Sequence, residues 1–284
     1  MIFRDFNKRV LPSLMMKYVI ILCCYTISSY AQQKEVKNII LMIPDGTSTS
    51  VITLSRWYKA YSENVLQQKQ KTDVLAKEIN PPPLSFEQYL CGMVATHSSD
   101  GLIADSAPAA TAMATGKKSR PGFVGLSADT VPLLTNMELV KILKNKSTGL
   151  VFTSEFTHAT PAAFVSHCTN RNDYKTIKEH MINSSLNVVF GGGGHAVLNA
   201  GDEQYLKNRA YTVTHRFDEV KSYSGSTIWG LFNTDSAYDG YMAFDLDRKT
   251  LQLREPSLSE MTQEAIRILE KNDSGFFLMV EGSK

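Results

Sequence analysis

Asn38 to Pro44 reads Asn-Ile-Ile-Leu-Met-Ile-Pro, an unbroken apolar run that predicts a strand buried on both faces. Shorter runs of the same kind predict further strands at Gly92 to Thr96, Gly149 to Ser154, Leu186 to Phe190, Ser226 to Phe232 and Phe276 to Glu281. Helical patterning falls between them, at Ser48 to Tyr61, Met137 to Asn145, Pro161 to His167, Asp173 to Ile182 and Glu203 to Asn208. Ser259 to Lys271 is the most clearly amphipathic of these segments. Gln67 to Pro83 is polar, ends Pro-Pro-Pro and predicts a surface loop. Strands that alternate with helices predict an α/β domain around a mostly parallel sheet.

One stretch stands apart. Ile103 to Gly116 is a polar turn that opens into a helix of small residues. Asp105 and Ser106 occupy N-cap positions, Pro108 falls in the first turn where a missing N–H costs nothing, and Gly116 closes the helix. Ser106 therefore stands at the positive end of a helix beside unpaired backbone N–H groups, an anion site that contains a hydroxyl. In open parallel sheets such sites form beyond the carboxyl ends of the strands. Asp45 ends the first predicted strand and Glu281 the last, while Ser106 and His158 each follow a strand after a short loop. Four polar groups from distant sequence are thereby expected on one edge. Taken singly, each has a plainer reading: Asp45-Gly46 as a turn, Asp105-Ser106 as a cap, Thr160-Pro161 as a helix start, Arg171 as a surface charge and Glu281 as a solvated strand end.

The segments read together change the weighing. Asp105-Ser106-Ala107, with its small-residue run to Ala114-Thr115-Gly116, resembles the nucleophile segment of alkaline phosphatases. Ile43-Pro44-Asp45-Gly46, Thr157-His158-Ala159-Thr160-Pro161 with Arg171 beyond it, and Phe276 to Gly282 resemble three further segments of that family, in family order. The resemblance implies a three-layer α/β sandwich and a phosphomonoesterase that works through a phosphoserine on Ser106. It implies that Arg171 holds two phosphate oxygens, that Asp45 bridges a zinc and a magnesium, and that His158, Thr160 and Glu281 line the magnesium site. Two Zn2+ and one Mg2+ are the implied cofactors, and a homodimer the implied assembly. A guanidinium presents paired donors that match a phosphate edge. Imidazole suits zinc better than magnesium, so His158 is expected to weaken the third metal or to hold it through water. His97, His167, His180, His195 and His215 are read as structural, with His167 on the helix after Pro161. Gly191 to Gly194 is read as a structural turn.

Composition adds boundaries. At 43% hydrophobic and 20% charged the chain can bury a large core. A net charge of +2 implies no nucleic-acid partner, and residues 1–31 carry +3, leaving the remainder near −1. Arg4, Lys8, Arg9 and Lys17 precede an apolar run from Tyr18 to Ile27, too short for a membrane span, with Ser29-Tyr30-Ala31 after it. This order predicts a secretory signal over 1–31, a catalytic domain over 32–284 and a periplasmic or secreted product. Cys91 and Cys168 then remain, expected as two buried free thiols. The resemblance runs from Asn38 to Lys284, the front two thirds of a member, and most zinc ligands are implied to lie further on. A truncated form of a longer enzyme, binding zinc and folding poorly, is the corresponding expectation. A non-catalytic phosphate- or metal-binding protein and a phosphodiesterase or sulfatase relative are the alternatives. A serine hydrolase is disfavoured because Ser106 has no Gly-x-Ser-x-Gly setting.

Overall fold

The computed structural model describes residues 36–62, 81–193, 197–233, 240–250 and 255–283. The expected signal segment with Cys23 and Cys24, most of the 67–83 loop, Gly194 and His195 lie outside these. The chain divides into two units, Met1–Lys37 and Asn38–Lys284. Of the first, only Val36 and Lys37 are among the described residues, and neither is in a helix or strand.

Within the second unit the elements follow in this order: β1 (Ile39–Pro44), α1 (Thr49–Tyr61), α2 (Ser106–Thr115), α3 (Asn136–Lys144), β2 (Ser147–Glu155), α4 (Ala159–Ala162), α5 (Tyr174–Asn183) and β3 (Val188–Gly192). They continue with α6 (Ala200–Asn208), β4 (Thr212–Thr214), α7 (Phe217–Lys221), β5 (Ile228–Leu231), α8 (Asp245–Thr250), α9 (Leu258–Leu269) and β6 (Phe276–Gly282). The six strands form one sheet in the order β1-β6-β2-β3-β5-β4, and every pairing is parallel.

Alternation along the strands divides the core in two. Leu150 and Phe152 of β2, Phe277 and Met279 of β6, and Trp229 and Leu231 of β5 pack with the small residues of α2 and α4 and with Met137, Ile177, Met181 and Leu206. The intervening residues Val151, Leu278, Val280 and Ile228 pack on the opposite face with Phe217 and Val220 of α7 and Met261, Ala265, Ile268 and Leu269 of α9. This is the three-layer α/β architecture expected from the sequence. Capping fixes several of the helix starts. Ser257 and Glu260 form a capping box on α9, as do Thr135 and Glu138 on α3.

Several expectations need correction. β1 is an edge strand, with β6 as its neighbour, and alternate side chains such as Met42 are exposed, so it is not covered on both faces. Gly92 to Thr96 forms no strand. Met93 and Val94 are exposed, and the carbonyls of Ala95 and His97 accept from Lys118 Nζ instead of a ladder. The helix at Pro161 is a single turn that begins at Ala159, because the chain then turns to form an antiparallel bridge between Cys168 and Val124. His167 therefore lies on that irregular segment and not on a helix. Cys168 is buried as expected, whereas Cys91 is exposed on the irregular run before Gly92. β4 was not foreseen, since Thr-Val-Thr at a sheet edge carries no apolar signature.

Gly191 and Gly192 belong to β3 and do not form a turn. A Cβ on Gly191 would fall 2.1 Å from the buried ring of Phe152, and one on Gly192 would fall 2.2 Å from the Gly240 carbonyl oxygen. Their bareness lets a neighbouring side chain and a neighbouring backbone lie directly on the sheet. Gly191→Ala is expected to destabilise the fold by about 1–3 kcal/mol through overpacking, read as a lower urea midpoint; an unchanged midpoint would contradict the packing described.

Candidate active site at the carboxyl ends of the strands

The site begins with strand ends. Asp45 is the first residue past β1, and its main-chain N–H donates to the Gly282 carbonyl of β6 at 3.0 Å. Register places Phe152 of β2 opposite Glu281 of β6, and Glu281 opposite Ile43 of β1. Glu281 is fully buried. Ser154 Oγ donates to its Oε2 at 3.2 Å, while Oε1 has no hydrogen-bond partner among the described residues.

The hydroxyl comes from α2. Asp105 is the N-cap, accepting at Oδ1 from the Ala107 N–H at 2.8 Å, and Ser106 is the first helical residue. Gly116 closes the helix in the left-handed region at φ 73°. Ser106 Oγ lies 3.4 Å from Asp45 Oδ2 and donates to it. Residues 61 positions apart are thus brought into contact at a half-exposed helix mouth.

The basic half comes from the segment after β2. Arg171 Nη1 lies 3.4 Å from Asp105 Oδ1, and its Nη2 donates to His158 Nε2 at 3.1 Å. His158 Nδ1 lies 3.9 Å from Glu281 Oε1. Because a guanidinium only donates, His158 Nε2 must carry a lone pair, which leaves the ring proton on Nδ1 facing the carboxylate. Thr160 is buried, and its hydroxyl and that of Ser283 face Glu281. A line of contacts therefore runs Asp105–Arg171–His158–Glu281, with Ser106 at one end and Asp45 beside both ends.

Burial pushes the Glu281 carboxyl up to about 7, nearby Asp45 adds to this, and the hydroxyls of Thr160, Ser283 and Ser154 oppose it. Tyr241 is pushed up to about 12, first by burial and then by Glu155 and Tyr174, and its ring meets the His158 ring edge-on at 5.7 Å. All six residues singled out in the sequence, Asp45, Ser106, His158, Thr160, Arg171 and Glu281, lie in this one region. Three contributors were not singled out there. Asp105 was read only as a cap, Ser154 could have been found from its even spacing to Phe152, and Tyr241 sits in a segment with no sequence signal.

The family model for alkaline phosphatases matches residues 36–284. This chain belongs to the alkaline phosphatase family. It is 36% identical over 263 residues to alkaline phosphatase 3 of Bacillus subtilis, covering 89% of this chain and 52% of that protein. To the tissue-nonspecific isozyme of Gallus gallus it is 28% identical, covering 90% of this chain and 56% of that protein. Among solved structures, the cold-active alkaline phosphatase of a psychrophilic Shewanella superposes with a TM-score of 0.72 at 27% identity, over 86% of this chain and 56% of that one. The alkaline phosphatase of the Antarctic bacterium TAB5 gives 0.66 at 28%, over 86% of this chain and 65% of that one. Histidine variants of the TAB5 enzyme have been solved with magnesium bound. The chain spans about half the length of the curated relatives it matches.

The raised Glu281 carboxyl carries a pH signature. Its folded value lies above its ordinary 4.5, so the folded state holds the proton more tightly. The added stability is complete below 4.5 and is lost as pH rises through about 7. In chelator-containing buffer, stability is expected to fall by up to about 3 kcal/mol between pH 5 and pH 8. Glu281→Gln should flatten that part of the profile, and a Glu281→Gln profile parallel to the parent would contradict the assignment.

Proposed function

We propose that this chain carries the phosphoryl-accepting part of a metal-dependent phosphomonoesterase, with Ser106 as the nucleophile. The observation that carries the reading is the Ser106 hydroxyl, 3.4 Å from Asp45 at the N-terminus of α2, with Arg171 anchored on the neighbouring Asp105. In this reading Asp45 Oδ2 orients the Ser106 O–H. Ser106 Oγ attacks phosphorus in line with the ester oxygen as its hydroxyl proton passes by way of Asp45 Oδ2 to solvent. The P–O bond to the alcohol breaks with water protonating the departing oxygen, and the phosphoryl group stays on the serine. Water then cleaves the serine ester and releases phosphate. The positive end of the α2 dipole and the paired N–H groups of Arg171 offset the charge on the non-bridging oxygens. Binding phosphate edge-on would require Arg171 to turn from His158 or Asp105, which hold it in the structure.

The donor set tests the implied metals. Glu281 Oε1 is buried without a hydrogen-bond partner among the described residues, and Asp45, Thr160 and Glu281 offer the oxygens that a hard cation prefers. We therefore assign Asp45, Thr160 and Glu281, with His158 beside them, to magnesium. A cation bound there supplies positive charge next to the serine oxygen and favours its ionised form. For zinc the fit fails here: among the described residues no group of three or more His, Cys, Asp or Glu has the geometry of a metal site, so Asp45, His158 and Glu281 do not make the three- or four-ligand set that a tetrahedral zinc wants. No step is assigned to zinc.

The basic-then-apolar order of residues 1–31 supports export, with the catalytic domain at 32–284, and dimerisation follows the family resemblance. No helix of the described residues is long and apolar enough to cross a membrane. Phosphate monoesters are the proposed substrate class.

Two outcomes are expected. Incubation with labelled inorganic phosphate at mildly acidic pH should leave label on Ser106, and Ser106→Ala should leave none; label on the variant at the parental level would overturn the nucleophile assignment. Magnesium should raise the melting temperature of the parent protein, with a smaller rise in Glu281→Gln. An equal rise in both would remove Glu281 from the cation site.

A further inference from the structure

His167 lies outside the site, yet both of its ring nitrogens face atoms that only accept. Nδ1 is 2.8 Å from the Gly125 carbonyl oxygen, and Nε2 is 3.3 Å from Glu138 Oε1. A neutral imidazole has one N–H and would turn a lone pair toward one of them. Only the doubly protonated ring satisfies both contacts. Its neighbour has the opposite requirement. His180 Nδ1 is 3.3 Å from the His167 main-chain N–H, which can only donate, and 3.0 Å from Ser166 Oγ. His180 therefore keeps a lone pair at Nδ1. Two imidazoles on adjoining segments thus face opposite kinds of partner.

The turn that His167 grips is built for close approach. Gly125 has φ +61°, and a Cβ there would fall 2.0 Å from the Ser166 carbonyl oxygen and 2.8 Å from His167 Nδ1. The turn is tied to both halves of the candidate site. Gly125 N–H donates to Thr111 Oγ1 of α2 at 2.9 Å. Val124 and Cys168 exchange hydrogen bonds at 2.8 and 2.9 Å. Gly122 carbonyl accepts from the Arg171 N–H at 2.9 Å, and Gly122 N–H donates to Asp105 Oδ2 at 2.9 Å. The same turn thus holds the backbone of Arg171 and the carboxylate that Arg171 pairs with.

We propose that His167 is a positioning residue for Arg171, an imidazolium that clasps the 122–125 turn against Glu138 and so fixes the anchors of Arg171 and Asp105. The part of this that concerns phosphate rests on the function proposed above. The titratable groups facing the segment are Glu138 from α3 and His180 from α5, with Asp173 near His180. The hydrogen bond to Glu138 raises His167 above its ordinary value, burial opposes this, and Gly125 adds to the rise. Burial pushes the Glu138 carboxyl up, and the hydrogen bonds from His167 and Thr135 outweigh it and hold the group below its ordinary value. The clasp is accordingly present at lower pH and released as pH rises through the raised His167 value.

The test uses the intact chain with labelled histidine, read by nitrogen NMR, and amide exchange at the Arg171 and Gly122 N–H groups corrected for intrinsic pH dependence. His167 should show protons on both nitrogens at pH 6. Protection of Arg171 and Gly122 should fall at least tenfold as His167 titrates, while β2 and β6 amides stay protected. Glu138→Gln should move that fall to lower pH. His167→Asn, which keeps a donor at the Nδ1 position, should retain partial protection with no pH step. A neutral His167 at pH 6, or a pH step that survives in His167→Asn, would overturn the proposal. Inorganic phosphate titrated calorimetrically at pH 6 separates the two readings. Weaker binding to Glu138→Gln than to the parent supports positioning, and equal affinities refute it. No binding to either, with the exchange result intact, leaves the clasp standing and removes the phosphate role from Arg171.

Discussion

A parallel strand shows one face at every second residue, and that period is the constraint on which this site depends. In β2 the face that carries Leu150 and Phe152 continues to Ser154, and in β6 the face that carries Phe277 and Met279 continues to Glu281. In β1, Ile39, Leu41 and Ile43 pack toward the same core, and the next position in that series is Asp45. Three strands therefore change from carbon to oxygen on one face, at one edge, beneath α2 and α4. Shifting any of these strands by one residue would turn its oxygen to the opposite face, where α7 and α9 pack. The apolar residues of the interior fix the register, and the register fixes the oxygens.

That arrangement concentrates negative charge, and the rest of the site answers it. Glu281 is buried near Asp45, which is why its carboxyl holds a proton well above the usual range. Three hydroxyls, those of Thr160, Ser283 and Ser154, address the carboxylate as donors, and Arg171 is the nearest permanent positive charge in the line. His158 links the two, accepting from the guanidinium and directing its other nitrogen at Glu281. An imidazole serves here because it can face a donor on one side and an acceptor on the other. Neither an aspartate nor an arginine could do both. The same property means that the Nε2 lone pair, while it accepts from Arg171, is not free for a cation.

Much of this was legible in the chain. The α2 segment announced its cap, its first-turn proline and its closing glycine in consecutive residues, and the structure has all three. Each of these signals is local, so no tertiary information was needed to read it. The carboxyl-end placement of Asp45 and Glu281 was legible too, because it needs only the strands and a parallel sheet. The failures share one cause, which is that letters describe a segment and not its neighbours. Gly92 to Thr96 has strand composition but no ladder, and β1 has the run of a central strand but lies at an edge. Pro161 suggested the start of a longer helix, yet the path of the chain after Ala162 is governed by the pairing of Cys168 with Val124, forty-four positions earlier. His167 was set aside as structural because no residue near it in sequence shows that Gly125 and Glu138 would meet its ring.

The two halves of the site are held by different kinds of force. The carboxylates sit on β1 and β6, whose position follows from burial of apolar side chains across the sheet, a contribution that varies little with pH. Arg171 and the Asp105 carboxylate depend on a turn secured by main-chain hydrogen bonds and by one half-buried ion pair. Such pairs are worth little individually in water-exposed settings and depend on the charge of both partners. Local opening draws on the weakest set of contacts first. The acidic half therefore has the rigidity of the sheet, while the basic half can loosen without unfolding it. In the proposed function, an Arg171 anchored in this way can adjust to a phosphate that the fixed carboxylates could not follow.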